Sequence, residues 1–442
     1  MNGTADPCRL LYRMHFIYKG GNMWTKAVDI YSVREIKTRT EICFGVGAIG
    51  RLDGLLKNLK EHGVNTLLLL TGKNSFRRSG ADKEVIRTLK ENAMQWSHFE
   101  CSGHGGEISL IGEAVKEGRK TGAQAVLAAG GGNVTDVGKC VALLLAQEGE
   151  RHMRELLEGT FVPEKTLPLL VINLSHGSGS ENNAFALLSD PEKKETHVIQ
   201  SHLLYPWKVI CDPALAVSMP RLATRYAAMD AVNHALESAT SKNANPLSIL
   251  LSHEIIKLVS RYLARVEKDP GDLEGRYFLQ FASLLGGLAT DNGGGHFSHA
   301  LLHPLHTLRP ELPHGLGVSV LMPSVVKKVY PEYGKVLAAV FAPVVPDLAG
   351  NAEEAEDAAA GLEVWISGCG VKLDPLDALF LKENIDELVE TSYQNPSLSL
   401  LLTTAPLETS RDAIRSIFDD ALTPSGKDRT RGGAEDAGEM EK

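Results

Sequence analysis

Ala123-Gln-Ala-Val-Leu-Ala-Ala-Gly130-Gly-Gly-Asn-Val-Thr-Asp136 decides the reading of the first half of the chain. Ala123 to Ala129 is a short apolar run, as expected for a strand buried on both faces of a parallel sheet. Three glycines follow, and they open a helix that continues through Ala146. Strand, glycines, helix is the layout of a phosphate cradle. Glycine lets the backbone approach a ligand closely, and the free N–H groups at a helix start favour an anion. Taken alone, the same string also describes a tight turn with no ligand.

The flanking sequence repeats the alternation. Ile42 to Gly50 reads as a strand and a glycine turn, Arg51 to His62 as a helix, and Thr66 to Leu70 as a buried strand ending in the polar loop Thr71–Gly80. A helix over Lys83–Asn92, a strand over Trp96–Cys101 and a helix over Ile108–Lys120 lead up to Ala123. Beyond it, the strand Leu167–Asn173 runs into a second polar glycine loop, Leu174-Ser-His-Gly-Ser-Gly-Ser-Glu-Asn-Asn183. The alternation predicts an α/β domain around a parallel sheet. Two glycine loops at strand C-termini lie where open α/β sheets bind ligands, and together they point to a nucleotide. The loop after Leu70 holds no acid before Asp82; it offers Gly72, Lys73, Asn74, Ser75, Arg77 and Arg78. An acid there would accept the ribose hydroxyls of NAD, whereas a polar, basic loop suits the 2′-phosphate of NADP. NADP(H) is the expected cofactor and NAD the alternative. Arg77 and Arg78 as a merely solvated pair is the plainer explanation of the same loop.

From Pro220 the texture changes. Long amphipathic or apolar stretches take over: Leu222–Thr240, Pro246–Val266, Gly275–Thr290 and His299–Leu308. With 442 residues, two domains are expected rather than one core. The predicted division is a loose extension over 1–27, a dinucleotide-binding α/β domain over 28–213 and an all-helical domain over 214–422. The tail over 423–442 has almost no apolar content and is expected to be disordered.

Three clusters stand out in the helical half: Asp230-Ala-Val-Asn-His234, His299-Ala-Leu-Leu-His303 and Pro313-His314-Gly315. A spacing of four stacks two side chains on one helix face. Imidazoles and a carboxylate are the borderline N and O donors that a divalent transition metal takes, with a position left open for a substrate. The competing explanation is a set of unrelated structural histidines, since convergence in space is not visible in a sequence. His306, three after His303, is placed to line the same pocket. His296, His253 and His176 have less claim.

Composition narrows the function class. The formal net charge of −9 disfavours a nucleic-acid partner. No apolar run reaches the roughly 18 residues of a membrane span, and the N-terminus lacks a clean signal-peptide layout. The six cysteines are scattered without a CxxC. That argues against a disulfide framework or a thiolate metal site and fits a reducing cytoplasm.

Taken together and in order, these motifs resemble the iron-containing (group III) alcohol dehydrogenase family. The resemblance runs from about Ile42 to Leu422. It is carried by Gly45-Val-Gly-Ala-Ile-Gly50, Gly130-Gly-Gly-Asn-Val-Thr-Asp136-Val-Gly-Lys139, Gly177-Ser-Gly-Ser-Glu181, Asp212-Pro213, Met229-Asp-Ala-Val-Asn-His-Ala-Leu-Glu237, His299-Ala-Leu-Leu-His-Pro-Leu305, Pro313-His-Gly315 and Asn395-Pro396. It implies catalysis in a cleft between a dinucleotide domain and a helical metal domain. It implies metal ligation by Asp230, His234, His299 and His314, with Fe²⁺ or Zn²⁺ as the ion. His303 would serve proton transfer or contact the nicotinamide. Gly72, Ser75, Gly131, Gly132, Asn133, Asp136, Ser175 and Ser178 are the expected cofactor contacts. The loop Gly72–Gly80 is similar to that of NADPH-dependent aldehyde reductases and butanol dehydrogenases in the family.

The expected activity is reversible hydride transfer between NADP(H) and a primary alcohol/aldehyde pair. A homodimer or larger oligomer is expected, with no nucleic-acid or membrane partner. The chain departs from the family pattern at Asn133 (usually Ser), at Gly105-Gly106 (usually Asn-Pro) and at His306 (usually Gly). The segment between His303 and His314 is also one residue longer than in many members. Rival expectations are a zinc polyol dehydrogenase, a lyase of the dehydroquinate synthase type, and a catalytically silent NADP-binding protein.

Overall fold

The structure is a computed structural model, and it describes residues 36–101, 106–193, 195–373, 384–395 and 397–422. The predicted extension over 1–27, the tail over 423–442, Gly105 and Pro396 lie outside the described residues.

In the first half the strands are β1 (Glu41–Phe44), β2 (Thr66–Gly72), β3 (Gln95–Cys101), β4 (Ala125–Gly130), β5 (Leu169–Asn173), β6 (Phe185–Asp190), β7 (Glu195–Gln200) and β8 (Lys208–Cys211). Six of them form one sheet in the order β1-β8-β5-β4-β2-β3, every pair parallel. The helices between them are α1 (Leu52–Glu61), α2 (Ser75–Arg78), α3 (Ala81–Glu91), α4 (Ile108–Thr121), α5 (Gly132–Leu145) and α6 (Met153–Leu157). Both faces of the sheet are covered, which is why its central strands read as unbroken apolar runs. Leu68, Leu70, Val126 and Ala128 enter one core with residues of α4 and α5, and Leu67, Leu69 and Leu127 enter the opposite core with residues of α1 and α3. That split follows from the two-residue period of a strand.

Several elements, α6 and β8 among them, lie where no regular structure was predicted. Ser75–Arg78, expected to be loop, is the short helix α2. The chain after Asn183 forms an antiparallel hairpin, β6 with β7, in the register Phe185↔Gln200 to Asp190↔Glu195.

The second half is helical: α7 (Arg221–Thr240), α8 (Pro246–Lys268), α9 (Leu273–Gly293), α10 (Phe297–Leu308), α11 (His314–Phe341), α12 (Ala355–Gly368), α13 (Ile385–Gln394), α14 (Leu398–Leu402) and α15 (Arg411–Leu422). Local chemistry sets several starts. The Asn245 side chain accepts the Ser248 N–H at 2.9 Å, with Pro246 opening α8. Asp272 accepts the Gly275 N–H at 3.0 Å at the start of α9. Helix α7 is the centre of this half. It packs against α8, α9 and α11, and every residue from Ala228 to Thr240 is buried. Polar side chains on α7 are therefore held in the interior, where each needs a partner. Among the described residues no helix is long and apolar enough to cross a membrane.

Candidate active site

The glycine loops converge. β5, β4 and β2 are neighbours in the sheet, so the loops at their C-terminal ends stand side by side. Gly131, just before α5, faces Ser175: a Cβ there would lie 2.9 Å from the Ser175 Oγ. A Cβ on Gly132 would lie 2.6 Å from the Ser178 Oγ, and one on Gly72 would lie 2.7 Å from the Ser75 Oγ. Glycine at these positions leaves room for the serine hydroxyls beside the helix start. Six of the eight expected cofactor residues thus lie in or at the edges of three adjoining loops, and Asn133 follows in the first turn of α5.

Asp136 is placed differently. It is buried, its Oδ2 accepts the Leu187 N–H at 3.1 Å, and its Oδ1 accepts the Ser180 hydroxyl. The fully buried Lys139 ammonium stands 3.9 Å away and donates to the Asn183 Oδ1 at 3.0 Å. With both oxygens occupied, Asp136 pins the hairpin β6–β7 and the second glycine loop to α5.

The metal candidates also converge. Asp230 sits mid-way along α7, His299 in the first turn of α10, and His314 at the first position of α11. One ligand atom from each of these three lies within 4.8 Å of the others. The Asp230 Oδ1 is 3.5 Å from the Nε2 of both His299 and His314. His234, the fourth expected ligand, stands one turn along α7 with its Nε2 3.9 Å from the same oxygen. Its ring is stacked on that of His299, with centroids 4.7 Å apart and planes 6° from parallel. The group whose atoms all lie within 4.8 Å of one another comprises Asp230, His299 and His314, with His234 beside it. The buried Asp230 Oδ1 and His299 Nε2 find no hydrogen-bond partner among the described residues. Orphaned donor atoms of this kind, aimed at one point, fit a divalent cation with N and O ligands.

Two family models match this chain: iron-containing alcohol dehydrogenase over residues 39–213, and the C-terminal domain of the Fe-containing alcohol dehydrogenase family over residues 224–422. The chain belongs to the iron-containing alcohol dehydrogenase family. It is 40% identical over 402 residues to a long-chain primary alcohol dehydrogenase of Thermoanaerobacter ethanolicus, covering 90% of this chain and all of the relative. It is 27% identical over 268 residues to an NAD-dependent methanol dehydrogenase of Bacillus methanolicus, covering 60% of this chain and 69% of that one. In fold it matches the NADH-dependent butanol dehydrogenase A of Thermotoga maritima with a TM-score of 0.78 at 24% identity, over 88% of this chain and 98% of the other. The protein is an oxidoreductase of the alcohol dehydrogenase kind.

Helix α9 joins the two halves of this alcohol dehydrogenase's site. The Ser283 Oγ accepts the Gly177 N–H at 2.5 Å, and the Leu284 carbonyl accepts from the Asn182 Nδ2 at 2.8 Å. Two residues on, Gly286 faces His234: a Cβ there would lie 3.5 Å from its Nδ1. Helix α9 thus holds the second glycine loop and packs against α7 at neighbouring positions.

The electrostatics suit a cation. Burial favours a neutral Asp230, but His234 and His314 outweigh it and hold the carboxyl well below the usual carboxylate range. Burial pushes His234 down to about 4, so it offers a neutral lone pair at pH 7. Burial also opposes charge on His299, yet Glu237 and Asp230 prevail and push it up to about 10. These two carboxylates draw positive charge to His299, on a proton or on a metal ion.

His303 lies one turn after His299, 5% exposed, and its Nδ1 has no hydrogen-bond partner among the described residues. Burial, then the neighbouring His306 and His314, push it well below the usual histidine range. The His306 Nε2 donates to the Leu312 carbonyl at 3.0 Å, so this residue braces the loop ahead of His314. Glu237, whose Oε2 lies 2.6 Å from the His299 Nδ1, has no assigned role in the sequence analysis. Its signal is the spacing Asp230, His234, Glu237, which keeps all three on one face of a helix.

Proposed function

We propose that this enzyme transfers hydride reversibly between NADP(H) and a primary alcohol/aldehyde pair. The convergence of Asp230, His299 and His314 beside the glycine loops carries that reading. Asp230, His234, His299 and His314 would hold one divalent ion, Fe²⁺ or Zn²⁺; three imidazoles and a carboxylate suit either. When bound, the ion supplies Lewis acidity to the substrate oxygen, and the dinucleotide supplies or takes up the hydride.

The chain's own residues do the rest. Gly72, Ser75, Gly131, Gly132, Asn133, Ser175 and Ser178 seat the dinucleotide, with the start of α5 facing its phosphates. Asp136 holds the second glycine loop against α5 and so acts on the cofactor seat from behind. Arg77 and Arg78, exposed on α2 beside β2, favour a 2′-phosphate. His303, neutral and buried, exchanges at Nδ1 the proton that accompanies hydride transfer, directly or through water. A primary alcohol agrees with the name of the 40% identical relative.

A panel of straight-chain primary aldehydes, assayed with NADPH and with NADH on protein reconstituted separately with Fe²⁺ and Zn²⁺, tests the proposal. Turnover with NADPH as the better donor is expected. Faster turnover with NADH would overturn the cofactor choice, and no aldehyde-dependent oxidation of either would overturn the function.

A further inference from the structure

Helix α10 carries His299 and His303, yet it has no side-chain cap of its own: His296, the residue before it, makes none. The first N–H groups of a helix have no partner within it and must find one elsewhere. Here they find it on another helix. The Oε1 of Glu237, from α7, accepts the Ser298 N–H at 2.6 Å and the His299 N–H at 3.2 Å. The Oε2 of the same carboxylate lies 2.6 Å from the His299 Nδ1. Glu237 is fully buried, so these bonds replace its hydration. One carboxylate thereby fixes both where α10 begins and how the His299 ring is turned.

We propose that Glu237 is a positioning residue for the metal: it accepts the Nδ1–H of His299 and so leaves Nε2 as the lone pair that faces Asp230 and His314. The inference rests on the metal reading of this site. A neutral imidazole carries one proton, and whichever nitrogen donates to a partner leaves the other free to ligate. Helix α7 then supplies three things from one face: a ligand in Asp230, a further candidate in His234, and in Glu237 the partner that prepares a ligand on another helix. The carboxylate also adds a second negative charge beside Asp230, which suits a divalent cation among neutral histidines. A carboxylate that only capped α10 would stabilise the fold but leave the metal's environment unchanged.

The test replaces Glu237 by Gln and uses Co²⁺ as the probe. Glutamine keeps the volume, and its carbonyl still accepts the two backbone N–H groups. Its amide NH₂, however, donates toward Nδ1 and turns the ring proton to Nε2, against the ion. Chelator competition is expected to show an affinity for Co²⁺ about 10- to 100-fold lower in Glu237→Gln, with a shifted visible absorption spectrum. Circular dichroism and dinucleotide binding should stay at wild-type values. A variant that binds Co²⁺ with wild-type affinity and spectrum overturns the inference while leaving the metal site intact. A wild-type protein that binds no Co²⁺ overturns the metal reading itself, and this inference with it.

A second measurement holds even where the variant does not fold. Wild-type protein loaded with Zn²⁺ and labelled with ¹⁵N in the histidine rings reports the His299 tautomer by NMR, with His299→Ala supplying the assignment. A proton on Nδ1 is expected, and a proton on Nε2 overturns the inference.

Discussion

Gly287 in α9 lies against Gly179 in the loop after β5 so closely that a methyl group on Gly287 would overlap the Gly179 carbonyl oxygen and the Asn182 side chain. The neighbouring Gly286 has ordinary clearance from His234. Gly287→Ala is therefore expected to push the second glycine loop away from α9. We expect a stability loss of about 1–3 kcal/mol, the usual range for overpacking, together with a raised KM for the dinucleotide and retained metal. Gly286→Ala should be milder on both stability and KM. Denaturant unfolding and cofactor titration of the two variants check this.

The orphaned Nε2 of His299 points to a second expectation. His299→Ala removes a donor at the centre of the cluster and leaves Glu237 buried without its imidazole. Elemental analysis should find far less than one divalent ion per chain in that variant, against about one in the wild type. Stoichiometric metal with full activity in His299→Ala would remove this residue from the ligand set.

Asp136→Asn addresses the hairpin. It leaves the Lys139 ammonium fully buried without the carboxylate 3.9 Å away. Removing one partner of a buried pair typically costs about 3–5 kcal/mol. Urea unfolding should show a loss of that order. A loss under about 1 kcal/mol, the range of an exposed pair, would show that Asp136 does not hold the hairpin.

His176 gives a pH dependence. It is 4% exposed, its Nε2 has no hydrogen-bond partner among the described residues, and burial, then Arg276, push it down to about 3. Between that value and the ordinary histidine range near 6.5, the unfolded chain holds a proton that the folded chain does not. Stability thus rises with pH across this window and is lost as pH falls through it. One such histidine contributes a slope of about 1.4 kcal/mol per pH unit. In His176→Phe, the slope of unfolding free energy between pH 4.5 and 6 should drop by roughly that amount. An unchanged slope would mean that His176 is not buried neutral.

The parts legible in the sequence were those with a strong period or a rare residue combination. Leu67 to Leu70, buried on both sides, announces a parallel strand, and the glycine triplet announces the turn into α5. The pairs Asp230/His234 and His299/His303 are visible because four residues make one helical turn. Elements set by distant partners were not legible. Phe185–Asp190 alternates only between buried and half-buried, and charged residues around Lys193 separate it from Glu195–Gln200. Glu237 has no meaning until folding brings α10 to it across 62 positions of sequence. The stacking of His234 on His299 is likewise a tertiary contact.

The most direct test is the rate of NADPH oxidation with a straight-chain primary aldehyde, measured on metal-stripped protein before and after reloading with one Fe²⁺ or Zn²⁺ per chain. Turnover that appears only on reloading, and not in His299→Ala treated identically, is the predicted result. Equal turnover by the stripped protein, or none after reloading with either ion, would contradict the assignment of a metal-dependent alcohol dehydrogenase built on Asp230, His299 and His314.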